Sequence, residues 1–143
     1  MQIVDIPTVG GGWFKPGDVK DALAFLIEVH EYEDQRPTPN GPKDSALCDV
    51  SVFGNMAALD AGTPEVTKGQ RIEQTLLARD LKRVVGNGTI VRLEQVPPKR
   101  PGQHPAWVWR PVSDPGVRDK ILGYVKAREA AVEAAVSAAP DFD

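Results

Sequence analysis

The chain has 143 residues, 41% of them hydrophobic and 26% charged, with a formal net charge of -3 at pH 7. That length fits one domain able to bury its own core, and a single cysteine with two histidines excludes an internal disulfide framework and a multi-cysteine zinc site. No apolar stretch is long enough to span a bilayer and the start, MQIVDIPTVGGGW, lacks the pattern of a signal peptide, so a soluble, cytoplasmic protein is expected.

Residues 1–20 read as a flexible lead. Gly10, Gly11 and Gly12 precede Trp13, Phe14 and Lys15, in a spacing that satisfies neither GxGxxG nor GxxxxGK[ST]. The aromatic pair either clamps a ligand or pins the terminal segment to the domain. Asp21 to Tyr32 predicts the first strand, with Leu23, Phe25, Ile27 and Val29 on one face and Ala24, Leu26, Glu28 and His30 on the other. Three prolines and an Asn-Gly make Arg36 to Pro42 a loop. Ser45 to Phe53 predicts a second strand whose inward face is Cys48, Val50 and Val52, which makes Cys48 a core thiol. Phe53 then ends a polar face where a ligand would meet it.

Gly54 to Gly69 is turn-rich, with room for a short strand or a helical turn near Asn55 to Leu59. Ile72, Leu76, Leu77, Leu81 and Val84 recur at helical spacing before Gly86, which predicts a helix from about Glu73 to Val85. Its other face carries Arg79, Lys82 and Arg83. Thr89 to Val96 and Ala106 to Val112 predict a hairpin, joined by a proline-broken loop that holds Lys99, Arg100 and His104. Alternation puts Trp107 and Trp109 on one face of its second strand and Val108 and Arg110 on the other. From Ser113, a suitable N-cap, an apolar stripe of Val117, Ile121, Leu122, Val125, Val132 and Val136 predicts a C-terminal helix. Its alanine-rich second half has little to bury, so it projects or pairs with another copy.

This element order predicts a mainly β fold, a five-stranded Greek-key barrel of the oligonucleotide-binding (OB) type, with a helix between strands 3 and 4 and an appended C-terminal helix. The expected divisions are a lead at 1–20, the barrel at 21–112, the helix at 113–139 and an acidic tip at 140–143. Only four strands are evident. The fifth lies within Gly54 to Ile72 or comes from a split of Asp21 to Tyr32. In such barrels ligands meet the strand 2 and 3 face and two loops, here Arg36 to Lys43 and Pro97 to Pro105. Charge is uneven as well. Lys68 to Arg110 holds nine basic residues against three acidic ones, while the rest of the chain is acidic, a distribution that suits phosphate contact through one surface or a solvated helix face.

The segments GGGWFKP, DALAFLIEVHEYE, RPTPNGPKDSALCDVSVF and LLARDLKRVVGNGTIVRLEQ together resemble a group of proteins from phages of actinobacteria, described as single-stranded DNA-binding-like. The resemblance covers most of 10–112 and implies an OB barrel acting in phage DNA replication or recombination, in the host cytoplasm. It transfers no residue roles. The tip, with Asp141, Phe142 and Asp143, looks like a reduced form of the acidic-aromatic tails by which such proteins recruit replication or recombination partners.

The expected activity is sequence-tolerant binding of single-stranded DNA, without catalysis, cofactor or metal, by a homo-oligomer. Arg79, Lys82, Arg92, Lys99, Arg100, Arg110 and Lys43 are the phosphate candidates. Trp107, Trp109, Phe53, Tyr32 and Trp13 are the stacking candidates, with at least one of Trp107 and Trp109 expected mainly in the core. An enzyme finds little support, since His30 and His104 have no metal-ligand spacing, no GxSxG turn is present, and Glu28, Glu31, Glu33 and Asp34 read as a solvated strand edge. The alternative is a phage structural or protein-interaction module that assembles through the barrel and the C-terminal helix.

Overall fold

The computed structural model describes residues 12–138, so the predicted tip at 140–143 lies outside the described residues. Five strands form one antiparallel sheet: β1 (Ala24–Arg36), β2 (Lys43–Phe53), β3 (Glu65–Ile72), β4 (Gly88–Val96) and β5 (Ala106–Pro111). Their order is β3-β2-β1-β4-β5, and the sheet is open, with β3 and β5 as its edges. Three helices accompany them: α1 (Met56–Ala61), α2 (Thr75–Leu81) between β3 and β4, and α3 (Pro115–Ala138) after β5. The mainly β class, the five strands and the position of α2 agree with the expectation. Closure into a barrel is not present as strand pairing.

β1 is central and explains the near-continuous apolar run. Phe25, Ile27 and Val29 face the main core with Ala46, Cys48 and Val50 of β2, Ile72 of β3, Leu77 and Leu81 of α2, and Trp109 of β5. Ala24 and Leu26 face the other way, into a second core that α3 closes with Val117 and Ile121. A strand covered on both sides loses its polar alternation. The alternation returns at Glu28, where the carboxylate receives two hydrogen bonds from Arg128 of α3 at 2.8 and 3.0 Å.

The fifth strand is β3, EVTKGQRI, within the Gly54 to Ile72 stretch, one of its two expected places. It is an edge strand, mostly polar, with a bulge where Lys68 and Gly69 oppose Asp49. Gly69 takes a left-handed φ of +67°, and its N–H donates to Asp49 Oδ1 at 3.0 Å, a geometry that glycine adopts without steric cost. The Asn55–Leu59 turn is α1, capped by Asn55 Oδ1 on the Ala58 N–H at 2.9 Å. The predicted 73–85 helix is shorter, ending at Leu81 in a 3-10 turn over Lys82–Val84. The cap of α3 is Asp114, not Ser113: its Oδ1 accepts from the N–H groups of Gly116 and Val117 at 2.8 and 3.3 Å, with Pro115 at the first helical position.

Residues 12–19 are not a loose lead. The Phe14 N–H donates to the Arg71 carbonyl at 2.8 Å and the Arg71 N–H to the Gly12 carbonyl at 3.0 Å, so this stretch runs parallel to the edge of β3. The Phe14 ring then reaches across to Trp109 of β5, with centroids 5.6 Å apart. One short segment thereby links the two edge strands that the sheet leaves unpaired, with aromatic packing on one side and backbone pairing on the other.

Candidate nucleic-acid interface

Several predicted contact residues serve the structure instead. Trp109 is 8% exposed and its indole Nε1 donates to the Leu77 carbonyl at 3.1 Å. It is therefore a core residue and not a stacking surface. Phe53 is wholly buried because α3 covers the face that looked polar, and Tyr124 meets it edge-on at 5.6 Å. Trp107 and Tyr32 are half-buried against the main core. The shared face of Trp107 and Trp109 is thus the interior one, as alternation along β5 requires.

The basic residues of 68–110 do not form one surface, which corrects the electrostatic expectation. Arg79 pairs with Asp44 and Lys82 with Asp34, both at 3.2 Å, while Arg71 lies 3.7 Å from Glu33. These pairs join the end of β3 and the α2 region to the β1–β2 hairpin. Two of the acids that read as a solvated edge, Glu33 and Asp34, are among their partners. On the outer face of the β4–β5 pair, Arg110 and Arg92 both address Glu94, at 2.6 and 3.8 Å. The Arg110 hydrogen bond holds the Glu94 carboxyl below its ordinary range, with the nearby charges of Arg110 and Arg92 acting the same way. Lys99 and Arg100 stand exposed in the β4–β5 loop, with no carboxylate within ion-pair distance among the described residues.

Among the described residues Trp13 is the one aromatic that stands exposed, at 52%, whereas its neighbour Phe14 is buried, so Phe14 pins the segment to the domain and Trp13 faces solvent. The Arg36 guanidinium lies over the indole, 5.7 Å from the ring centroid, and Glu73 accepts from Arg36 Nη1 at 3.3 Å. Trp13 forms the wall between two grooves. One, of about 260 Å³, is lined by Lys43, Arg71 and Glu73 among others. The other, of about 290 Å³, has Val19 and Val52 among its lining, with Lys15, Asp18 and Glu65 beside them. An exposed indole with Lys15 and Lys43, which make no ion pair among the described residues, and with Arg36 and Arg71, which face Glu73 and Glu33, around it is able to stack a planar ring and attract the phosphates attached to it.

Among these residues the sequence reading had singled out Trp13 and Lys43. It passed over Arg36 and Arg71 as contacts because only the register brings them to Trp13: Arg36 lies opposite Lys43, and Arg71 bridges to Trp13. Larger concavities lie elsewhere. Between α1 and α3 a groove of about 570 Å³ contains Lys120 and Arg128, but these are bound to Asp60 and Glu28. A second, of about 430 Å³, includes Glu28, His30 and Arg128, with His30 Nε2 2.9 Å from Asp49. Among the described residues no three His, Cys, Asp or Glu side chains converge as metal ligands, and no helix is long and apolar enough to cross a membrane.

Scans against protein-family models, curated proteins and solved structures match nothing to this chain.

Proposed function

We propose that the protein binds single-stranded DNA without sequence-specific contacts over most of its length, through a site centred on Trp13. The observation that carries this reading is the half-exposed indole set among Lys15, Arg36, Lys43 and Arg71 at the edge of β3. Base stacking on an aromatic contributes about 1–3 kcal/mol per base, and it tolerates any base. Lys99 and Arg100 in the β4–β5 loop are further exposed cations. Strand order, the placement of α2 and the link made by Phe14 are consistent with an OB-type, partly open Greek-key barrel, in which the strand 2 and 3 surface and the loops beside it meet ligands. With the resemblance to phage single-stranded DNA-binding-like proteins, this supports a role in phage DNA replication or recombination.

A second reading has its own support. Val132 and Val136 are 61% and 70% exposed on the projecting half of α3, where a protein-interaction module would dock or a homo-oligomer would form its seam.

Titration of a labelled single strand, with duplex of equal length as control, separates the two at low and high salt. The DNA reading predicts preferential binding to the single strand and a log–log salt slope of about -0.7 for each cation that contacts phosphate. No binding at low salt by folded protein rejects it in favour of the interaction module.

A further inference from the structure

The two grooves beside Trp13 differ in chemistry. One side offers Lys43 and Arg71, and it includes Glu73, the carboxylate that holds Arg36 over the indole. The groove on the other side has an apolar lining of Val19 and Val52 next to two carboxylates, Asp18 and Glu65, and one cation, Lys15. Neither carboxylate has an ion-pair partner among the described residues. Two carboxylates against one lysine leave this groove net negative, which disfavours phosphate, and carboxylates accept from the amino edge of a base, so the second groove suits a base better than the backbone that carries it.

We infer that the bound strand is divided across Trp13: its phosphates follow Lys43 and Arg71, and one base stacks on the indole from the second groove with its polar edge toward Asp18 and Glu65. This inference rests on the nucleic-acid reading and adds a base preference to it. Cytosine offers an N4 amino group that donates to a carboxylate. Thymine presents a single N–H between two carbonyl oxygens, and both oxygens are repelled by the same carboxylate. The site therefore favours cytosine over thymine at one position, within an otherwise tolerant strand.

The test compares oligodeoxycytidylate with oligodeoxythymidylate of equal length, at mildly alkaline pH, on wild-type protein and on the double variant Asp18→Ala, Glu65→Ala. Both side chains are exposed and make no ion pair, so the variant is expected to fold, which circular dichroism checks. Wild type should bind the cytidylate about five- to tenfold more tightly, as one base-edge contact allows. The variant should lose that preference and bind thymidylate at least as well as wild type does. Equal affinities in wild type, a thymidylate preference, or a cytidylate preference that survives in the variant each overturn the inference while leaving the nucleic-acid reading standing. Binding of neither strand removes both.

Discussion

The indole N–H of Trp109 donates to the Leu77 carbonyl at 3.1 Å, tying the edge strand β5 to α2, the α-helix between β3 and β4. The same ring packs on Phe25 and Phe14 with centroids 5.7 and 5.6 Å apart. Trp109→Ala should therefore cost about 3–5 kcal/mol of stability, in the range for large-to-small core substitutions. Trp109→Phe keeps an aromatic side chain but removes the hydrogen bond to the Leu77 carbonyl and part of the packed volume, a loss of about 1–3 kcal/mol. Chemical denaturation reads both. The folded Trp109→Phe variant should keep wild-type oligonucleotide affinity, which a stacking role for Trp109 would not allow.

The β1–β2 hairpin should weaken in acid. Asp44 accepts from the Gln35 backbone N–H at 3.0 Å, from Arg79 at 3.2 Å and from Gln35 Nε2 at 2.9 Å. These bonds, the Gln35 N–H first, hold its carboxyl below the ordinary range. A depressed folded-state value means that the contribution is fully present above the unfolded value, about 4, and disappears as pH falls through the folded one. Asp44→Asn should be less stable than wild type at neutral pH, and the two unfolding midpoints should converge as pH drops below the carboxylate range. A constant gap across that range would show that Asp44 acts through packing alone.

What the sequence disclosed and what it withheld follow from range. Local patterns were readable: the apolar face of β1, the inward Cys48 and Val50, the helix before Gly86 and the C-terminal helix. β3 could be placed only somewhere within Gly54 to Ile72, because an edge strand with polar residues and a bulge at Gly69 has neither an apolar run nor clean alternation. Phe53 was misplaced because nothing in β2 itself tells that Tyr124, far along the chain, covers it. The charge count of 68–110 failed for a related reason. Five of its cations are matched by carboxylates, three of those pairs reaching back to Glu33, Asp34 and Asp44. A count within one segment is blind to such partners. At the candidate site Trp13 and Lys43 were visible as residue types, but their meeting with Arg36 and Arg71 depends on register, which is a property of the folded sheet.

Cys48 should be inert until the protein unfolds. It is wholly buried on β2, and burial first, then the neighbouring Asp49, pushes its thiol up from 9.0 to about 12. The thiolate is the reactive form. A thiol reagent at mildly alkaline pH should label it only at the rate of global opening, and labelling should track the denaturation curve. Fast labelling of native protein would place Cys48 outside the core.

Trp13 and Phe14 offer the most direct test, because adjacent residues are assigned opposite tasks. Phe14→Ala should cost about 3–5 kcal/mol of stability, whereas Trp13→Ala should change stability by about 0.5–1 kcal/mol at most. The decisive measurement is the affinity of Trp13→Ala for a labelled single-stranded oligonucleotide at low salt, alongside wild type. The account predicts a loss of about 5- to 150-fold, equivalent to about 1–3 kcal/mol of stacking, with the unfolding midpoint nearly unchanged. Wild-type affinity in the variant would contradict it and remove Trp13 from the interface.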